Sequence, residues 1–315
     1  MSLLKAVIKK LGIILLTLLL VSFAVYAAFE LIPGDPALSK LGTDATPEAL
    51  AALRHEMGLD KPFIFRYFSW LLSCLKGDFG ISLSYGRTVS SMIISRIPVT
   101  VFLTLFSTLI TVVVSIPVAV LMTKYAGRFF DRFTYVVNQL VMSVPSFFAG
   151  ILFTWFFGMI LKLFKPGGYV SYDKDLPGFL FYILFPSIAV ALPKCAMSVK
   201  LLRSSILEEA DKDYVRTAYS RGNSTMQVMY RHVLKNALIP LVTFWSMSVA
   251  DMIAGAIVIE QVFNIPGLGR ILLSSIQNRD YPVVEAVIML IALVVVVMNL
   301  LSDILCKKID PRLKS

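Results

Sequence analysis

The chain has 315 residues, of which 57% are hydrophobic and 16% charged, and its formal net charge is +10. A soluble globular chain carries about 25% charged residues, so this composition excludes an ordinary soluble domain. Three scattered cysteines, Cys74, Cys195 and Cys306, provide no spacing for a disulfide or metal framework.

Crossing the hydrocarbon layer takes about 20 helical residues, and long uncharged runs predict such spans. Six runs are present: Leu11–Phe29, Ile97–Thr123, Phe133–Leu161, Leu176–Pro193, Asn236–Ile259 and Ala286–Ser302, the fifth interrupted only by Asp251. The expected fold class is an all-α integral membrane protein with six transmembrane helices. The first run has a second reading as a signal peptide, because Lys5, Lys9 and Lys10 precede it and Val25-Tyr26-Ala27 resembles a cleavage site. Its apolar core is longer than the roughly 7–15 residues of a signal, which favours an anchor.

Basic residues in the connections set orientation. With both termini inside, segments 1–10, 124–133, 198–236 and 306–315 hold 17 Lys and Arg in 69 positions, against 12 in 103 for the opposite set. The positive charge is thereby explained by anionic lipid at the inner surface and calls for no nucleic acid. The sequence divides into a tail and first span (1–32), an outer segment (33–96), a five-helix core with an inner loop at 198–236 (97–305), and an inner tail (306–315).

The outer segment shows a helix start at Pro47-Glu48 and an apolar series Phe63, Phe65, Phe68, Leu71, Leu72 and Leu75. It is expected to fold against the membrane surface, with part of it re-entrant. Within the spans, Pro117, Pro145, Pro186 and Pro193 predict static kinks. Asn138, Ser143 and Ser146 are polar lining or interhelical bonds.

The inner loop is the most polar part of the chain. Ile206, Leu207, Ala210, Tyr214, Val215 and Ala218 follow helical spacing among Glu208, Glu209, Asp211, Lys212, Asp213 and Arg216. Gly222 suits the left-handed position after a helix end. Ser224 and Gln227 form an S-x-x-Q capping box. A second helix then runs through Met226, Met229, Tyr230, Val233 and Leu234, with Pro240 near the membrane surface. The apolar stripe of the first helix can lie on the bilayer, pack on the chain's own spans, or enter a partner's groove.

Asp251 is costly in the middle of a span and must face a cavity or a partner charge. It either lines a translocation path, favouring a cationic group, or pairs within the bundle, with Lys194 the candidate. No P-loop, GxGxxG, HExxH or acid–base constellation occurs. No catalytic residue, metal site or cofactor site is therefore assigned.

The segments Asp213–Gly222 and Arg231–Pro240 resemble the inner-loop motif of ABC importer permeases, in the form found in dipeptide, oligopeptide and nickel importers. Leu31–Pro36, Met57–Pro62, Gly77–Ser82, Phe263–Arg270, Asn278–Pro282 and Asp310–Arg312 are similar to further signatures of that family, specifically of the first of its two permease subunits. Arg216 stands where the broader permease pattern has Glu, and Tyr219-Ser220 replaces a more usual Arg-Ala. The resemblance implies a non-catalytic subunit in a bacterial or archaeal cell membrane. It would pair with a second permease and two ATPase subunits that bind ATP and Mg, and would be served by an extracytoplasmic binding protein. Peptides are the implied substrate, with nickel or a metal chelate as the alternative. A secondary transporter or channel is the alternative from another class. The resemblance also makes the inner loop a coupling helix seated in a groove of the ATPase, which gives the apolar stripe a destination. It assigns coupling to Asp213, Arg216 and Gly222.

Overall fold

The computed structural model describes residues 3–31, 36–41, 45–56 and 58–309. Pro33-Gly34-Asp35, Met57 and Asp310-Pro311-Arg312, each part of a family-like signature, lie outside the described residues. The described helices are, in order, α1 (Leu3–Leu31), α2 (Pro36–Leu41), α3 (Pro47–Glu56), α4 (Phe63–Leu75), α5 (Val89–Ile94), α6 (Ile97–Lys124), α7 (Phe129–Ser143) and α8 (Ser146–Phe153). They continue as α9 (Leu176–Ala210), α10 (Asp213–Ser220), α11 (Thr225–Val228), α12 (Leu234–Ala237), α13 (Ile239–Val262), α14 (Leu268–Gln277) and α15 (Tyr281–Ile309). Wider π turns extend α8 over Thr154–Ile160 and join α11 to α12 over Met229–Val233.

Five of these helices, or helix pairs, are long and apolar enough to cross a membrane, and a bent pair makes the sixth. That pair is the third apolar run. It is not one kinked helix: α7 and the α8 segment meet at 102°. Val144 precedes proline and is held extended at ψ 119°, and Pro145 follows at ψ 142°. The Pro145 ring disfavours helical backbone at the residue before it, so the helix stops and restarts. Pro117, Pro186 and Pro193, by contrast, lie within continuous helices. The fourth run also differs from expectation. α9 continues 17 residues past Pro193 to Ala210, a length of about 52 Å at 1.5 Å per residue. Its last turns therefore project well beyond a hydrocarbon layer of about 30 Å.

The chain forms two compact units, Met1–Pro98 with Ile271–Val296, and Val99–Arg270 with Val297–Ser315. In the first, α4 packs on α1 through aromatic edges: Phe23 meets Tyr67 at 5.4 Å and Tyr26 meets Trp70 at 5.3 Å. Ser22 is hydrogen-bonded to the Tyr67 hydroxyl at 2.8 Å. The expected apolar series of α4 is thus turned outward, with Phe65, Phe68, Leu72 and Leu75 exposed while Tyr67 is buried. A helix of 13 residues is about 20 Å long and cannot span, so this face suits the membrane surface.

The second unit is built on α6, α9 and α13. α6 buries Thr100, Thr104, Ser107, Thr111, Ser115, Ala119 and Thr123 along one stripe. Small side chains let helices approach closely, and their hydroxyls return to the backbone. Ser107 Oγ donates to Leu103 O at 2.8 Å and to Ser187 O of α9 at 3.1 Å. Asn138 Nδ2 of α7 donates to Ala196 O at 2.8 Å, which makes it an interhelical bond, whereas Ser143 bonds its own helix.

Candidate functional site

The inner loop is shaped by local chemistry at three points. α9 ends at Ala210, and Asp211-Lys212 break the helix that the 206–218 periodicity suggested, before α10 begins at Asp213. The break is tied by Glu209, 9% exposed. Its carboxylate accepts from Lys212 Nζ, from the Tyr214 hydroxyl at 2.8 Å and from Asn236 Nδ2 at 3.0 Å. Asn236 Nδ2 also donates to the Tyr214 oxygen at 3.1 Å. Burial, reinforced by the Glu209 carboxylate, pushes the Tyr214 hydroxyl above the usual phenol range. Glu209 thus joins α9, α10 and α12, a convergence that helical periodicity could not reveal.

The second point is the end of α10. Gly222 has φ +81° and donates its N–H to Tyr219 O at 2.9 Å. That is the left-handed turn expected from sequence, and nothing lies within 4 Å of a Cβ added there. Glycine is needed for backbone conformation alone. The third point is Ser224. Its N–H donates to Gln227 Oε1 at 2.9 Å and its Oγ accepts from Gln227 N at 3.4 Å, completing the capping box.

The apolar stripe of α10 does not point at a vacant groove. Val215 and Ala218 are 1% and 5% exposed. They pack in one cluster with Ala119, Val120 and Met122 of α6, Val199, Leu202 and Ile206 of α9, and Val228, Met229, Val233 and Leu234 beyond the turn. The destination inferred from the family resemblance is therefore corrected: the stripe is consumed by the chain's own spans. A hydrophobic stripe specifies a face, not the neighbour that covers it. Tyr230, on the helix beyond the turn, is exposed. The outward face of α10 is polar. The Asp213 and Arg216 side chains are 99% and 77% exposed and sit 3.8 Å apart. Tyr219 is also exposed.

Further along, Lys194 Nζ of α9 donates to Asp251 Oδ2 of α13 at 2.6 Å. The pair within the bundle exists, yet the Asp251 side chain is 65% exposed. It belongs to an open stripe of α13 at helical spacing, Met247, Asp251, Ala254, Val258 and Gln261. Among the described residues no group of three or more His, Cys, Asp or Glu is arranged to hold a metal ion.

Two acids that sequence reasoning passed over organise the family-like signatures. Glu260, fully buried at the end of α13, accepts from Thr100 Oγ1 at 2.6 Å, Gly269 N at 2.7 Å and Arg270 N at 3.0 Å. It caps the first turn of α14, where orphan N–H groups favour a carboxylate. Gly267 and Gly269 are explained by the same contact. A Cβ on Gly267 would overlap the Glu260 carboxylate, and one on Gly269 would overlap the Ile257 backbone. Asp280, also fully buried, accepts from Ser82 Oγ, Leu83 N at 3.0 Å and Ser84 N at 3.3 Å. It fastens the Gly77–Ser82 and Asn278–Pro282 signatures together within the first unit. An acid beside an apolar run was the visible signal in both cases; the partners lie too far away in sequence to read.

Residues 115–315 match the family described as binding-protein-dependent transport system inner membrane component, and residues 3–104 match its N-terminal region. The chain is 32% identical to a probable peptide ABC transporter permease protein of Sinorhizobium fredii and 34% identical to a putative peptide transport system permease protein of Brucella abortus. It is 33% identical to the glutathione transport system permease protein GsiC of Escherichia coli. Each of these alignments covers 98% of both chains. In fold, it resembles the MetNI methionine ABC transporter in inward-facing conformations, at TM-score 0.56 and 17% identity over 70% of this chain and 96% of that one. An amino acid ABC transporter gives TM-score 0.50 and 18% identity over 71% and 94%.

Proposed function

The chain belongs to the binding-protein-dependent transport system inner membrane components, a multi-pass ABC importer permease family, and from that premise we propose that it forms half of a translocation path for peptides in a bacterial or archaeal cell membrane. A second permease completes the path, two ATPase subunits supply ATP and Mg chemistry, and an extracytoplasmic binding protein delivers substrate. The peptide reading is supported by what the names of the similar proteins state.

The observation that carries the proposal is the two-faced α10. Its inner face is locked to α6 and α9 by Val215 and Ala218, and its outer face presents Asp213 and Arg216 to solvent. An ATPase that grips the polar face would displace the packed cluster with it, because close-packed side chains transmit displacement. ATP binding would then shift the permease pair between inward- and outward-open states through differential contacts. Gly222 sets the turn that presents this face. Asp251 and its open stripe on α13 provide the path with an acidic point suited to a peptide amine, with Lys194 as its counter-charge.

The test is uptake by the complete assembly in proteoliposomes, with labelled di- and tripeptides and nickel as competing cargoes. ATP-dependent peptide uptake that falls by about tenfold or more in Arg216→Glu, while the ATPases still bind nucleotide, is the expected result. Uptake by this chain alone without ATP would overturn it in favour of a secondary transporter.

A further inference from the structure

We propose that the first unit contains a site for a primary ammonium group, carried by a zwitterionic ligand and held by Glu285 within an aromatic enclosure. The cavity has a volume of about 800 Å³ and lies between α1, α4 and the start of α15. All of its described lining belongs to that one unit. Glu285, 7% exposed, lines it. This carboxylate has no hydrogen-bond or ion-pair partner among the described residues.

An ionised carboxylate so enclosed is costly without a partner. The other lining charges are engaged or peripheral. Glu30 is taken by Arg66, and Asp60 is bonded to His55 at 2.8 Å. Asp78 accepts from Gly80 N at 2.9 Å, and Arg54, Lys61 and Asp78 are all exposed. The same cavity has aromatic walls: Tyr26 stands against Trp70 at 5.3 Å between ring centres, and Phe29 against Tyr281 at 5.1 Å. Aromatic faces attract organic cations, most strongly where water is excluded. A buried carboxylate in a cavity with aromatic walls therefore selects an ammonium, and Lys61, exposed on the mixed-charge lining, offers its charge to an anionic group on the same molecule.

Two sources present that chemistry. One is an aminophospholipid headgroup, which suits a cavity walled by Tyr and Trp beside the exposed apolar face of α4. The other is a short peptide with a free N-terminus. The site stands apart from the assignment of α10 and Asp251, so the import reading can fail while this one holds.

Tryptophan emission tests it in the full-length protein in detergent, with Trp70 isolated by difference against Trp70→Phe. The probes are a short-chain phosphatidylethanolamine, its N-acetylated form, dialanine and N-acetyl-dialanine. Saturable binding of an amine-bearing probe is expected, weaker by about tenfold or more on acetylation and in Glu285→Gln. A response to the lipid alone identifies the headgroup, and a response to dialanine alone identifies the peptide. Equal binding of acetylated and free amines, equal binding by Glu285→Gln, or no saturable binding overturns the proposal. The acetylation comparison needs no Glu285 variant and decides the matter if Glu285→Gln does not fold.

Discussion

Lys194 and Asp251 bridge α9 and α13 at 2.6 Å, and the acid of the pair remains mostly open while the base is three-quarters covered. Removing either partner leaves an unpaired charge in a span, which is unfavourable there. Lys194→Met and Asp251→Leu alone should each lower the thermal midpoint in detergent, and the double variant should recover it. Uptake should stay low in the double variant if Asp251 lines the path. Recovery of uptake together with stability would reduce the pair to a structural bond.

The two faces of α10 should separate stability from coupling. Asp213→Arg and Arg216→Glu alter side chains already in solvent, where exposed pairs contribute little. They should leave the thermal midpoint unchanged and reduce ATP-driven uptake by about tenfold or more, the scale of one lost charge-assisted contact. Val215→Ala removes buried methyl groups and should cost about 1–2 kcal/mol, read as faster proteolysis of the inner loop.

Glycines provide an internal control. Gly222→Ala meets no neighbour and should cost only the left-handed backbone penalty, about 1 kcal/mol. Gly269→Ala drives a methyl into the Ile257 backbone and should exceed the roughly 1–3 kcal/mol typical of overpacking. The ratio of thermal shifts in the two variants is the measurement. Equal shifts would contradict the close approach of α13 and the start of α14.

The hub at Glu209 has a pH signature. The folded Tyr214 hydroxyl titrates above its ordinary value near 10. Its contribution is therefore complete below that pH and is lost as pH rises through the raised value. Protease resistance of the inner loop should hold to about pH 10 and fall above it. In Tyr214→Phe that step should vanish.

Much of this was readable in advance wherever the chemistry is local. Gly222, Ser224 and Gln227 act on neighbours within a turn, so their pattern named both the break and the next helix start. Apolar run length gave the spans, but it could not separate the abrupt corner at Pro145 from the continuous passage at Pro186. Both prolines lie in uncharged sequence, and the difference rests on what the surrounding helices accept. The partners of Glu260 and Asp280 were hidden because Thr100 and Ser82 lie 160 and 198 positions away. The stripe on α10 was legible as a stripe, but the side chains that cover it come from three other stretches of chain.

Between Lys194 and Glu209, α9 contains neither proline nor glycine. Those 15 steps span about 22 Å, so the cation paired with Asp251 and the hub at the inner loop ride on one stiff moment arm. A tilt of roughly 10° imposed at the Glu209 end would carry Lys194 by about 4 Å, farther than the pair can stretch and still hold its hydrogen bond. The same rod that anchors the inner loop thus has the reach to make and break the charge contact at its middle.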